Sequence, residues 1–277
     1  MKIYSYLKEV RIINRNLFKT VLLVFSIIFL AGCSLSDSSS NKIEIIENAA
    51  TKNTELNSAR FETSLSREHM GDQYTENSEG TFIKLADGTY NWYQKNFFND
   101  EQSVEMTQSD GKEYVKVNNG ENSESPWGES ETLQTSLSDV LRSLFEINLV
   151  EADIDEVSVH TETDKNRYTI TTTTNYPERI KNETLQPLQK RLEELKQENT
   201  QKEFIQGMEA QIQLIEETQY LENILTYEID KEGYLTDFTY KATVSQKNGA
   251  YFNFITSTSI TEYNLNDTSH LLPSIDD

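Results

Sequence analysis

The sequence runs to 277 residues with 25 Lys and Arg against 46 Asp and Glu, a formal net charge of −21 at pH 7. So acidic a surface repels nucleic acid, which is therefore not among the expected partners. A single cysteine excludes an intrachain disulfide, and with three scattered histidines (His69, His160, His270) it offers no zinc site of the Cys/His kind. No cofactor is expected.

The first twenty residues carry Lys2, Lys8, Arg11, Arg15 and Lys19 against a lone Glu9, and the apolar run Val21–Leu30 follows. A cationic flank, a short apolar stretch and small residues before a cut describe a secretory signal. The run is roughly ten residues, about half of what a bilayer-spanning helix needs, so a permanent span is the weaker reading. Leu30-Ala31-Gly32-Cys33 matches the lipobox of bacterial lipoproteins, in which small side chains before the cysteine let a peptidase reach extended backbone. The expectation is a signal peptide over 1–32 and cleavage before Cys33. Diacylglycerol on that thiol then tethers the chain to the extracytoplasmic face of the cell membrane. Two acyl chains, at about 0.8 kcal/mol per buried methylene, make a stable anchor. Loss of residues 1–32 takes away five basic residues and one acid, leaving 20 against 45.

Residues 33–41 are a Ser-rich tether with nothing to bury. From Lys42 to about Glu55, Ile43, Ile46 and Ala50 recur at three- and four-residue spacing, which predicts an amphipathic helix. The period then changes to two. Ala59, Phe61, Thr63 and Leu65 alternate with polar residues. Tyr74–Leu85 and Gly88–Phe98 read as strands joined at Asp87-Gly88, and Val104–Gln108 and Glu113–Val117 flank Asp110-Gly111. A loop over 118–126 precedes a short helix over Leu137–Phe145. Val157, Val159 and Thr161 then face Tyr168, Ile170 and Thr172 in a further hairpin.

From Asn182 to about Tyr220 the chain is rich in Leu, Glu, Lys and Gln. Leu185, Leu188, Leu192 and Leu195 set one helical phase and Ile205, Met208, Ile212 and Ile215 another. Thr200-Gln-Lys-Glu203 has the form of a capping box, so the segment is either a helical hairpin or one long helix with a phase slip. Strands resume with Leu225, Tyr227 and Ile229, then with Phe238, Tyr240, Ala242 and Val244. After the hairpin signal Asn248-Gly249 the last strand runs from Ala250 to about Leu265, and 266–277 reads as a loose polar tail.

The fold class that follows is α+β, with about 9–11 antiparallel strands in hairpins. About 235 residues beyond the tether suffice for one domain, here 42–265. A high aromatic count, 14 Tyr, 12 Phe and 2 Trp, suits amphipathic strands. The apolar face of such a sheet needs cover; the stripes Ile43/Ile46/Ala50 and Leu185/Leu188/Leu192 are the ones on offer.

This order of elements, with the lipobox, resembles the LolA/LppX-like bacterial lipoproteins. The local likeness lies at Ser58-Ala-Arg-Phe-Glu-Thr63, Gly88-Thr-Tyr-Asn-Trp-Tyr93, Asp110-Gly-Lys-Glu-Tyr-Val115 and Tyr227-Glu-Ile-Asp-Lys231. The length of the segment 182–220 departs from it. The resemblance implies a curved antiparallel half-barrel, its concave face covered by the N-terminal helix and the central helical segment, holding acyl chains or other apolar groups. It supplies no catalytic residue.

Two functions follow as expectations. One is a non-catalytic lipoprotein binding a lipid or other hydrophobic molecule, with Phe61, Trp92, Leu225, Tyr227, Phe238, Tyr240, Val244 and Phe254 as candidate cavity residues. Taken singly, each of these side chains is better explained as filling an ordinary core. The other is a surface-displayed protein-interaction or chaperone-like module that uses the long helical segment; no protein partner is legible. A cavity on the order of several hundred Å³ between sheet and helices distinguishes them. No nucleophile elbow, His-Glu-x-x-His pair or phosphate loop occurs, so no enzyme is expected.

Overall fold

The computed structural model describes residues 38–69, 72–97, 102–109, 111–118, 125–129, 137, 141–197, 202–247 and 249–275. Among them, eleven strands form one open antiparallel sheet in the order β6-β5-β4-β3-β2-β1-β11-β10-β9-β8-β7. The strands are β1 (Ser58–His69), β2 (Asp72–Lys84), β3 (Tyr90–Phe97), β4 (Ser103–Ser109), β5 (Lys112–Asn118), β6 (Gly128–Glu129), β7 (Ile154–Thr161), β8 (Lys165–Thr172), β9 (Thr218–Asp230), β10 (Leu235–Gln246) and β11 (Tyr251–Tyr263). The chain meanders outward from β1 to β6, crosses to the opposite edge at β7, and meanders back until β11 pairs with β1. The curved α+β half-barrel is thus what the structure shows.

Alternation sets the register. Phe238, Tyr240, Ala242 and Val244 turn one way with Leu225 and Tyr227, while Thr239, Lys241 and Thr243 turn the other. A slip of one residue would turn the whole set to water. The turns hold what the pattern asked of them: Gly88 sits at φ +87°, in the left-handed region that favours glycine, and Asp87 Oδ1 accepts from Thr89 N at 2.9 Å.

Four helices complete the described structure: α1 (Ser38–Asn53), α2 (Arg142–Phe145), α3 (Asn175–Gln197) and α4 (Lys202–Glu217). Helix α1 crosses the inward face. Lys42 Nζ donates to Val157 O at 2.8 Å at one end, and at the other Asn53 bonds to Leu144 and Leu235. Ile43, Ile46 and Ala50 are buried in the sheet's core, as their spacing predicted. Residues Leu137, Leu141 and Leu144 bury against it too; of that predicted helix, 138–140 lie outside the described residues and α2 is its last turn.

The central segment is a helical hairpin, not one long helix, and it begins at Asn175 rather than Asn182. Its leucines do not cover the sheet as expected. Leu185, Leu188 and Leu192 pack on Ile212 of α4, with Ile205, Met208 and Ile215 around them, in a cluster separate from the main core. The segment reaches the sheet through its first turns instead, where Tyr176 and Ile180 join the main core. A stripe records which side of a helix avoids water, not which surface it meets, and the second helix satisfied it first.

The stretch after Leu265 is not loose. Leu265 N donates to Ser58 Oγ at 2.9 Å, Leu271 is buried, and Leu271 O accepts from Thr81 Oγ1 at 2.5 Å. An apolar residue in a polar stretch gave the chain something to dock. The signal segment, the lipobox and Cys33 lie outside the described residues. Among those residues, no helix is long and apolar enough to cross a membrane.

Candidate functional site

Seven of the eight expected cavity residues share one buried cluster. Phe61, Trp92, Leu225, Tyr227, Phe238, Tyr240 and Val244 are all under one tenth exposed. Phe254 differs: it is half-buried at the margin of the cluster, as is Phe252 two residues earlier on the same face. Both lie toward the start of β11, beyond the level where Phe61 pairs with Ile260.

Ring contacts link this margin to the interior. Phe254 meets Tyr240 edge-on at 5.4 Å between centroids, and Tyr240 meets Tyr176 of α3 at 6.4 Å. Tyr227 packs on Phe238 at 5.1 Å. An aromatic path therefore runs from the half-exposed margin to the first turn of α3. Burial pushes the phenols of Tyr176, Tyr227 and Tyr240 well up, so all three stay neutral.

The polar atoms of the buried aromatic residues divide into paired and unpaired. Tyr240 Oη donates to Asn223 Oδ1 at 2.6 Å, and Trp92 Nε1 to Gln108 Oε1 at 2.8 Å. Tyr176 Oη and Tyr227 Oη have no partner. Arg179, one turn after Tyr176, lies 5.7 Å from its ring centroid and is held by Asp153, by Glu183 at 2.9 Å and by Asn148 O at 2.9 Å.

Across β11, β1, β2 and β3 the inward face sets hydroxylic and amide side chains beside Phe61, Phe82, Trp92 and Ile260. Thr256, Thr258, Ser78 and Gln94 are buried there, Thr63 Oγ1 meets Ser78 Oγ, and Gln94 Nε2 donates to Ser78 Oγ at 3.0 Å. Phe61 lies over Gly80 so closely that a Cβ on that glycine would stand 2.2 Å from its ring. The inward face thus has an aromatic wall at β8–β10 and, at β1–β3, a mixed floor in which Thr63, Ser78 and Gln94 lie beside Phe61, Phe82 and Trp92.

A different feature marks the outward face. An open cleft of about 210 Å³ is lined by Glu62, Ser64, Asn77, Glu79, Phe97 and Ser259 among others. Its lining is too polar for an apolar ligand. Nearby, Glu228 is held by Lys165 and by Arg167 Nε at 2.6 Å; burial works to raise its pKa, but these two donors outweigh it and the net shift is downward. Asp237 goes the other way, raised chiefly by burial.

His160 is exposed, 3.9 Å from Glu162, and His270 is exposed in the docked tail. Among the described residues no three metal-ligating side chains cluster. Sequence reasoning missed Tyr176, Asn223 and Phe252. A signal for Tyr176 was present, since Pro177 beside it marks the first turn of a helix.

No protein-family model matches the sequence, and no curated protein matches it. Solved structures do. LprF from Mycobacterium bovis matches with a TM-score of 0.39 at 6 % identity, over 87 % of this chain and 99 % of that one. A MucA/MucB complex from Pseudomonas aeruginosa matches with 0.30 at 10 % identity, over 86 % of this chain and 62 % of that one. This chain spans 60 % of the chain matched in a second MucB–MucA complex. A domain from Vibrio parahaemolyticus, described as an outer membrane lipoprotein-sorting protein, matches with 0.25 at 5 % identity, over 82 % and 93 %.

Proposed function

We propose that this chain is a membrane-anchored extracytoplasmic lipoprotein of the LolA/LppX-like kind, non-catalytic, holding a lipid or other apolar molecule on the inward face of its sheet. The observation that carries the reading is the half-exposed aromatic margin. Phe252 and Phe254 continue the buried face of Tyr240 and Val244 yet keep part of their surface in water. Apolar surface left wet beside a finished core is surface that an acyl chain can cover, at about 25 cal/mol per Å². The anchor supports the same reading. Helix α1 starts at Ser38, five residues after Cys33, and five extended residues reach at most about 18 Å. The domain would hang close to the bilayer that supplies its ligand.

A second reading, a protein-interaction arm, is favoured by one observation. The α3–α4 hairpin has its own core and leaves Leu214 48 % exposed.

The test is extraction of the full chain from its own host's membranes, followed by mass spectrometry of the apolar molecules that accompany it. The wild type should bring down one near-stoichiometric species. Phe254→Asp should lose that species with its far-UV spectrum unchanged, and Cys33→Ser should remain an unacylated precursor. Recovery of nothing beyond what an unrelated lipoprotein carries would contradict the ligand.

A further inference from the structure

An open sheet has two edges, and here they differ. At one end β6 is only two residues long; at the other β7 runs eight residues and pairs with β8 alone. Residues of an antiparallel pair alternate between bonding their partner strand and facing away from it. Glu162 N donates to Lys165 O at 2.8 Å, so counting back along β7 it is His160 and Ser158 that bond to β8. Val157, Val159 and Thr161 therefore turn their N–H and C=O groups to the free edge. Lys42 agrees, since its Nζ takes Val157 O at 2.8 Å. Among the described residues no hydrogen bond reaches the outward groups of Val159 and Thr161. Proteins blunt such edges with Lys, Pro or a bulge. A bulge between Ile154 and Glu156 blunts the start of β7, but Val157–Thr161 carries none of these devices, and Val159 is 41 % exposed.

The strand fits itself. With a two-fold axis through Ser158, the free groups of Val157 face those of Val159 of a second copy, and Val159 lies beside Val157 across the join. On the other face Ser158 meets Ser158, and Glu156 meets His160, a carboxylate acceptor against an imidazole N–H. Val157 O keeps a second lone pair for Lys42. Moving the axis to Val159 sets Glu156 against Glu162, and moving it to Val157 brings the bulge into the ladder. The tether fits the same arrangement. An axis joining two strands edge to edge stands normal to the sheet, so both copies of α1 lie on one side of it. Ser38 opens α1 about 6 Å along the helix from Lys42, and it follows Cys33 by five residues. On the anchored reading above, both anchors leave beside the axis toward one membrane.

We propose that β7 is a self-docking edge, through which two copies of this chain join Val157–Thr161 antiparallel about Ser158 into one continuous sheet. The pairing stands whatever the inward face holds.

The full chain is made in its own host with Ser158→Cys, and the membranes are oxidised and resolved without reductant. Paired residues of this kind stand about 4.5 Å apart at Cα, within a disulfide's reach. Ser158→Cys should give at least about tenfold more covalent dimer than Thr169→Cys, its neighbour on β8, whose two copies stand about 15 Å apart. Each is read above the wild type, which keeps only Cys33. Val159→Pro added to Ser158→Cys removes two edge donors per dimer and leaves the β7–β8 ladder whole. It should cut the yield about tenfold with the far-UV spectrum unchanged. His160→Glu should cut it as well, and Glu156→Lys in the same chain should restore it. Dimer from Ser158→Cys no more abundant than from Thr169→Cys overturns the edge. A disulfide to another protein in its place overturns the second copy. Pairing that survives both Val159→Pro and His160→Glu overturns the register.

Discussion

Replacing Asn53 should loosen the helix that shelters the sheet. Asn53 ends α1 and is fully buried; its Nδ2 donates to Leu144 O at 2.9 Å and Leu235 O at 2.7 Å, and its Oδ1 accepts from Leu235 N at 3.1 Å. One side chain thus joins α1, α2 and β10. Asn53→Ala strands two carbonyls and one N–H among residues that are themselves inaccessible. At about 1–1.3 kcal/mol per group the loss is about 3–4 kcal/mol, a large part of the roughly 5–15 kcal/mol that holds a domain together. For a domain of this size that lowers Tm by about 6–16 °C. Asn53→Asp keeps the acceptor but sets carboxylate oxygen against two carbonyls, so its loss should be at least as large near pH 7. It should shrink as the pH falls and the carboxyl regains a proton to donate. Thermal melts of the full chain by far-UV circular dichroism read both. A fall under about 2 °C for Asn53→Ala would refute the clamp.

Three further outcomes follow from the same structure. Gly80→Ala places a Cβ 2.2 Å from Phe61 Cζ and 2.5 Å from Tyr93 O, so it should destabilise by about 3 kcal/mol. Phe61→Leu should restore only part of that, since the carbonyl contact stays; full rescue in the melts would argue against the close approach of the strands. Leu188→Asp should unzip α3 from α4 and speed amide exchange over 185–215 while the strands keep their protection; strand amides exchanging faster as well would show that the hairpin is not an independent unit. Asp237→Asn should raise Tm at pH 7. The Asp237 carboxyl is raised by burial, so its ionised form opposes folding above its folded pKa; that penalty fades as the pH falls through the folded pKa and is gone below the unfolded one. Glu228, shifted down, has the opposite sign: its contribution is present above its unfolded pKa and is lost as the pH falls through the folded one. A Tm gap for Asp237→Asn that widens on acidification would contradict the assignment.

The strands were legible because alternation survives translation into structure. A face that must be dry writes itself into every second residue, and Phe238 to Ala242 and Leu225 to Tyr227 show it, before a register irregularity between Thr243 and Val244. The turns were legible because few residues tolerate a left-handed φ, as at Gly88 and Gly249. Contacts between distant segments were not. The leucine stripe of α3 looked like sheet cover, but periodicity does not name the surface a stripe meets, and Ile212 of α4 met it. Helix α3 starts seven residues before Asn182 because Pro177, whose fixed φ suits a first helical turn, opens it ahead of the leucine stripe. In the candidate site, Tyr227 and Tyr240 were expected from alternation. Tyr176 lies 51 positions before Tyr227, and nothing local says that their rings share an interior.

The central claim is that the inward face carries an apolar guest, and photo-crosslinking in intact cells tests it most directly. Cells making the full chain are fed a diazirine-bearing fatty acid, which enters their acyl lipids, and are irradiated. Crosslinked peptides of the purified protein are then mapped by mass spectrometry, setting aside the acylated N-terminal peptide. The account predicts adducts concentrated on β9–β11, at Tyr240, Phe252 and Phe254, and their loss in Phe254→Asp. Adducts confined to the α3–α4 hairpin, or spread evenly over the surface, would contradict it.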